Sequence, residues 1–174
     1  REASLEQAQQ EKYRLLYDQL EIVSGDTILE IGCGWGGFAE YAAERCDCQI
    51  TAVTLSPSQA DYTRERMVRR GLDQQVTVVL SDYRALQGQY DKIVSIEMIE
   101  AVGHAYIPAF MKQLDQRLRP DGRIYLQAIL CPDSRYERYR KGVDFIRKHV
   151  FPGGHLPSLA VMQKAWERHT RLDL

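Results

Sequence analysis

The sequence lacks any apolar run approaching the roughly 20 residues that cross a bilayer, and its charged, Gln-rich opening REASLEQAQQEKYR has no apolar signal-peptide core. These absences exclude a spanning helix and a secretory leader in the sequence as given, and a soluble cytoplasmic protein is expected. Cysteine is scarce, with four in 174 residues at 33, 46, 48 and 131. They are unevenly spaced in a chain long enough to build a core without staples, so they read as reduced thiols. Cys46-x-Cys48 is the one close pair, and with no second Cys or His pair beside it no metal site is expected. A marked basic excess is also missing. With 23 Lys/Arg against 24 Asp/Glu the net charge is −1, which argues against a dedicated nucleic-acid binder. The charge is uneven, however: from Cys131 onward nine Lys/Arg face five Asp/Glu (+4), whereas residues 1–130 carry 14 against 19 (−5). The basic flank reads either as a solvated helix face or as a surface that meets anionic phospholipid headgroups at the inner face of the membrane.

What is present is the make-up of one compact domain, 44% hydrophobic and 27% charged. The chain begins at Arg and stops after RLDL, which reads as a piece of a longer protein. Ser4 and Gln7 have capping-box spacing, and Leu5, Ala8, Tyr13, Leu16 and Leu20 give a helical stripe to about residue 21. TILEI (27–31) is a strand, and GFAEYAAERC after it a helix. QITAVTL is the next strand, followed by Ser56 as cap, Pro57 at the first helical position and a helix to Arg70 closed by Gly71. VTVVL (76–80), KIVSIE (92–97) and RIYLQAIL (123–130) supply three more strands. Helices are expected over 107–118, over the polar stretch 134–148, and over LAVMQKAWERH. Strands alternating with helices predict a Rossmann-like, doubly wound parallel α/β sheet.

EIGCGWGG (30–37) sits at the first strand-to-helix turn, with glycines 32, 34 and 37 in G-x-G-x-x-G spacing. Spacing alone leaves three readings open: a dinucleotide loop, a turn made only for packing, or another nucleotide-derived ligand. A dinucleotide fold wants an acid about 20 residues on, at the end of the second strand. That place holds Ala52, Val53 and Thr54. The acid stands instead before the loop, Glu30, giving E-x-G-x-G. This pattern resembles motif I of class I S-adenosylmethionine methyltransferases.

EIGCGWGG, TLSPSQ, SDYR, VSIEMIEAVGH and FPGGHLPS follow one another in an order that resembles the cyclopropane-fatty-acid synthase family, with its mycolic-acid and fatty-acid methyltransferase branches. The resemblance implies one S-adenosylmethionine-dependent domain over 1–174. Within it lie a leading helical region (1–24), a cofactor-binding core (25–130) and a lipid-facing helical region (131–174), with the last strands of the fold missing. Glu30, Gly32, Gly34, Trp35 and Gly36 would line the methionine end of the cofactor. Thr54, Leu55 and Gln59 would face its ribose and adenine, and Asp82 and Tyr83 the adenine edge. Each has a plainer reading: Gln59 completes a capping box with Ser56, Trp35 plugs the core beneath the loop, and Tyr83 is a half-buried packing ring.

The family's reaction takes a cis alkene in a phospholipid acyl chain as nucleophile, so a carbocation must be shielded from water and then lose a proton. The resemblance implies a bicarbonate as base, held by Glu100 together with a strand-five His, a Cys upstream of the leading helix and a C-terminal Tyr. Strand five here carries Gln127 in place of that His, and Ala101 replaces a second His. The Cys and Tyr positions fall outside this sequence. Gln127 with Glu97 resembles the branch that includes fatty-acid methyltransferases forming methylene-branched chains as well as members of unproved product, which leaves the product, cyclopropane or methyl or methylene branch, open. Glu100 alternatively reads as a solvent-facing residue at a helix start, and His104 and His155 as loop residues. A small-molecule methyltransferase and a catalytically silent cofactor-binding domain are the competing functions.

Overall fold

The computed structural model describes residues 4–173; the first three residues of the expected leading region and Leu174 lie outside them. Five strands form one sheet in the order β3-β2-β1-β4-β5. They are β1 (Thr27–Ile31), β2 (Gln49–Thr54), β3 (Val76–Leu80), β4 (Tyr90–Ile96) and β5 (Leu118–Gln127). The pairs β1/β2, β1/β4 and β2/β3 are parallel, with Glu30 opposite Ala52 and Thr54 opposite Leu80. The helices are α1 (Leu5–Leu20), α2 (Gly37–Ala43), α3 (Pro57–Arg70), α4 (Ile107–Arg117), α5 (Asp133–Lys141) and α6 (Leu159–His169). The doubly wound α/β architecture is the one the strand–helix alternation predicts, and β5 stands at a sheet edge.

Two compact units divide the chain. One comprises the residues up to Val94 with Leu118–Tyr125, and the other Ser95–Arg117 with Leu126 onward. In the first unit Ile28, Leu29, Ile31, Phe38, Ile50 and Met67 are all but fully buried, each worth about 1.5–3 kcal/mol relative to an exposed side chain. Local chemistry sets the helix ends. Ser4 Oγ accepts the Gln7 N–H at 3.2 Å while Gln7 Oε1 accepts the Ser4 N–H at 2.9 Å, a complete capping box for α1. Ser56 caps α3, and Gly71, left-handed at φ +68°, ends it. Asp91 ties the sheet's lower end together, accepting from Thr27 N at 2.8 Å, Thr27 Oγ1 at 2.6 Å and Arg119 at 2.8–2.9 Å.

In the second unit α4 buries Ile107, Phe110, Met111 and Leu114, and α6 buries Ala165 and Trp166. Two expected boundaries shift here. Strand β5 ends at Gln127 rather than Leu130, because Ile129 N–H donates to the Glu100 carboxylate (2.6 Å) and Cys131 N–H to Pro157 O (2.8 Å), partners that pull this backbone off any strand ladder. The single helix expected over 134–148 is broken at Gly142 and resumes as a π turn, Ile146–Val150. Arg147 explains the break. Its guanidinium donates to the carbonyls of Tyr139 (2.9 Å) and Gly142 (2.6 Å), groups that a continuing helix would have satisfied itself. No helix among the described residues is long and apolar enough to cross a membrane.

Candidate active site

In the first unit the parallel register brings three loops out side by side at the carboxyl ends of β1, β2 and β3, where open α/β sheets bind ligands. The glycine loop is pinned from below: Gly32 and Cys33 N–H both donate to Val53 O (2.9 and 2.8 Å), and Thr63 Oγ1 donates to Gly34 O (3.3 Å). Two of its glycines serve opposite ends. A Cβ on Gly36 would stand 2.5 Å from Thr63 Cγ2, so this position is glycine for packing against α3. Gly34, at φ +53°, has nothing within 4 Å of its would-be Cβ, so its exposed face leaves room for a close ligand.

Glu30 closes the bottom of this cradle. It is 2% exposed, and burial raises its pKa from 4.5 to about 8, against which the Ala39 amide in the first turn of α2 is the one group favouring the charged form. Its Oε2 has no hydrogen-bond partner among the described residues. A buried carboxyl oxygen left open costs free energy unless a ligand group meets it. An ammonium is the chemistry that would satisfy it, so the residues present fit the methionine end of S-adenosylmethionine. Cys33 beside it is buried, its thiol pushed up to about 12 by burial and then by Glu30, and stays a protonated thiol.

The other expected cofactor residues divide. Thr54 Oγ1 donates to Gln59 Oε1 (2.7 Å) and accepts the Ser56 N–H (3.1 Å), while Ser56 Oγ accepts the Gln59 N–H (3.3 Å). The Gln59 side chain thus turns to Thr54 instead of completing a capping box, and both residues stand at the β2 end as a polar pair. Trp35 is 54% exposed with its ring edge-on to Tyr62, so it is not a plug beneath the loop. Leu55 is 68% exposed. Asp82 caps the turn after β3 through the Arg84 N–H (2.8 Å) and grips the Arg84 guanidinium (2.6 and 2.9 Å), while Tyr83 is half-buried. Two residues escaped sequence reasoning. Tyr13 of α1 lays its hydroxyl over Gly37, where a Cβ would collide with it, and Arg66 donates to Trp35 O at 3.1 Å. Tyr13 had registered only as one apolar position in a stripe.

The second unit holds a cavity of about 720 Å³ walled by Ile129, Ile146, Val150, Phe151 and Leu156, with Glu97, Glu100, Asp144, Arg147 and His155 as its polar lining. Glu100 is held at two points and open at a third. Oε1 accepts the Ile129 N–H at 2.6 Å, its carbonyl accepts the His155 N–H at 2.7 Å, and Oε2 is buried with no partner among the described residues. The solvent-facing reading of Glu100 is overturned by these bonds. Gln127 does not line the cavity. Its side-chain Nε2 donates to Glu97 Oε1 (2.6 Å) and its backbone carbonyl accepts the Glu97 N–H (2.8 Å), with Glu97 in left-handed backbone at φ +51°. His155 is buried rather than a free loop residue. Arg147 Nε donates to Gly154 O (3.0 Å) and Leu156 N–H to Tyr139 Oη (3.0 Å), which together fasten the FPGGHLPS loop. These two were invisible in the sequence because their partners are backbone atoms.

Several donors that could hold a bicarbonate are committed: the Gln127 amide to Glu97, the Ile129 N–H to Glu100, and Arg147 Nε and Nη1 to three carbonyls. Three carboxyl groups face the same space. The side chains of this chain that the resemblance assigns to bicarbonate do not by themselves form a site for that anion.

A family model described as mycolic acid cyclopropane synthetase matches residues 1–173. The chain belongs to that family. Among its relatives, the tuberculostearic acid methyltransferase UfaA1 of Mycobacterium tuberculosis (strain ATCC 25618 / H37Rv) is 40% identical over 167 residues, 96% of this chain and 39% of that protein. The cyclopropane-fatty-acyl-phospholipid synthase of Escherichia coli (strain K12) is 38% identical over 167 residues, 95% of this chain and 41% of that protein. In three dimensions the chain is similar to the mycolic acid cyclopropane synthase CmaA1 complexed with SAH and CTAB, with TM-score 0.86 and 30% identity over 96% of this chain and 62% of that one. The chain spans about 40% of the length of these curated relatives. The motif-based recognition and the class I methyltransferase fold are borne out.

Proposed function

We propose that the complete protein methylates the double bond of an unsaturated phospholipid acyl chain with S-adenosylmethionine as donor. The observation that carries this reading is Glu100, a carboxyl group with one oxygen locked to Ile129 and the other buried without a partner among the described residues, beside the apolar wall of Ile129, Ile146, Val150, Phe151 and Leu156. Of the other polar groups there, Glu97 is engaged by Gln127, Asp144 by the Arg147 N–H and Arg147 by backbone carbonyls, an arrangement that suits an alkene, which needs no hydrogen-bond partner, better than a polar acceptor.

The cofactor, when bound, supplies a methyl group on positively charged sulfur. In the first unit Glu30 would hold its ammonium, Gly32, Gly34, Trp35 and Gly36 would line the methionine portion, and Thr54 with Gln59 would take the ribose hydroxyls. Leu55 and Tyr83 would flank the adenine, with Asp82 at its edge. In the second unit Ile129, Ile146, Val150, Phe151 and Leu156 would exclude water from the cation that forms on the acyl chain. The Glu100 carboxylate would stabilise that positive charge. Loss of a proton from the added methyl group closes a cyclopropane, whereas a 1,2-hydride shift that moves the cation onto the methyl-bearing carbon, followed by loss of a methyl proton, gives a methylene branch. Gln127 acts through Glu97, which it orients toward the cavity.

Peripheral contact with an anionic membrane surface belongs to the same reading. Val143, Phe145 and Phe151 are each at least two-thirds exposed, beside Lys141, Lys148 and His149. Apolar side chains next to cations suit a headgroup boundary. The test is a mass spectrum of lipids from cells expressing the complete protein and fed methyl-labelled methionine. A phospholipid acyl chain gaining one labelled carbon is expected. Label confined to small molecules would replace this reading with a small-molecule methyltransferase, and no label at all with a silent domain.

A further inference from the structure

Three side chains from three separate elements of the second unit meet in a line that the methyl-transfer reading does not use. His155, in the FPGGHLPS loop, borders the cavity and is 5% exposed. Tyr136, on α5, is 3% exposed. His104, in the short turn before α4, is exposed. The Tyr136 hydroxyl lies 2.8 Å from His155 Nε2 and 2.7 Å from His104 Nδ1. A phenol between two ring nitrogens can accept from one and donate to the other. The line therefore runs without a gap from the cavity wall, through a buried hydroxyl, to solvent. Packing fixes it: the Tyr136 and His155 rings meet edge to face at 79°, Tyr139 packs against His155 at 5.6 Å, and the His155 N–H donates to Glu100 O.

We propose that His155, Tyr136 and His104 are a proton exit, with His155 taking the proton released in the cavity and His104 delivering it to water. The inference rests on the methyl-transfer reading, because methylation of an alkene followed by ring closure or alkene formation releases one proton. Gln127, in the strand-five position, is an amide and cannot take it. The atoms balance as follows. The C–H bond breaks, its electron pair forms the new carbon–carbon bond, and the proton goes to His155 Nδ1. The Nε2 proton of His155 passes to the Tyr136 oxygen, and the Tyr136 proton passes to His104 Nδ1. His155 ends neutral, and His104 becomes an imidazolium that loses its proton to solvent.

The surroundings suit these roles. Burial, and then the positive charge of Arg147, that of His104 when it carries the relayed proton, and that of Arg140, hold the His155 pKa below the usual histidine value, so its ring is neutral and able to accept at pH 7. Tyr136 and Tyr139 are the other titratable groups against it, and Glu137 is the carboxylate acting on His104.

The experiment uses the complete enzyme with vesicles of unsaturated phospholipid and labelled S-adenosylmethionine. Tyr136→Phe keeps the ring but leaves the buried His155 Nε2 unpaired, so it should stay folded and melt somewhat below the parent, whereas His104→Gln changes a surface residue and should melt with the parent. His155→Gln should lower kcat by about 10²-fold or more, the usual contribution of a positioned base, and the other two by about 10-fold. Millimolar imidazole should restore the His104→Gln variant, as expected when a mobile base replaces a shuttle. Parental kcat in Tyr136→Phe and His104→Gln would overturn the proposal. So would a uniform loss with an unchanged pH profile and no imidazole rescue, which marks a structural role. If the parent methylates no acyl chain, the functional reading fails by itself, and NMR titration of the histidine rings still decides the relay. Tyr136→Phe should shift the midpoints of His104 and His155 together, and rings that titrate independently would refute the connection.

Discussion

Glu30→Gln probes the buried carboxyl beneath the glycine loop. Its folded pKa of about 8 lies above the unfolded value of 4.5, so between those limits the folded protein holds a proton that the unfolded chain releases. The folded state is therefore favoured most below pH 4.5, and stability falls as pH rises toward 8. The slope inside the window is about 1.4 kcal/mol per pH unit, which makes the loss at pH 7 on the order of 3 kcal/mol relative to pH 4. Glutamine has the same shape and no such proton. Urea unfolding of parent and variant at pH 5, 6, 7 and 8 isolates the effect, because every histidine and every other carboxylate is common to both proteins and cancels in the difference. The variant should gain stability relative to the parent steadily across the series. It should also bind S-adenosylhomocysteine more weakly, because glutamine cannot ionise against an incoming ammonium as the Glu30 carboxyl can. A parent–variant difference independent of pH would refute the burial argument for Glu30.

Gly34→Val should abolish S-adenosylhomocysteine binding in calorimetry, since the side chain would enter the open face of the loop and force a branched residue to φ +53°; near-parental affinity would mean the ligand approaches elsewhere. In the complete enzyme Glu100→Gln should leave cofactor affinity intact and lower turnover by about 10²- to 10⁴-fold, and a variant working at the parental rate would remove Glu100 from the chemistry. Gln127→His should change the ratio of cyclopropane to branched product by altering the grip on Glu97, and an unchanged ratio would place that choice outside the Gln127–Glu97 pair.

The fold was legible where local chemistry and long-range packing agree. The Ser4/Gln7 box, the Ser56–Pro57 start and the Gly71 stop of α3, and the apolar runs of β1 and β3 all mark their own ends. Legibility failed where a distant side chain competes for backbone. Nothing in RIYLQAIL announces that the Ile129 N–H is claimed by Glu100, 29 residues earlier. Nothing in the stretch 134–148 announces that Arg147 will take the carbonyls of Tyr139 and Gly142. The cofactor residues were legible because they cluster at three strand ends in fixed motifs. The histidines were not, because the hydroxyl joining them comes from Tyr136, 32 residues from His104 and 19 from His155, and neither separation forms a pattern.

The central claim is methyl transfer to an acyl-chain alkene, and its most direct test is a reconstituted assay of the purified complete protein. It would be given methyl-labelled S-adenosylmethionine and anionic vesicles whose phospholipids are either monounsaturated or fully saturated. Label covalently bound in the acyl chain at the former double bond, from unsaturated vesicles only, is the expected result. Label appearing equally with saturated lipid, or only on a headgroup or soluble amine, would contradict the account.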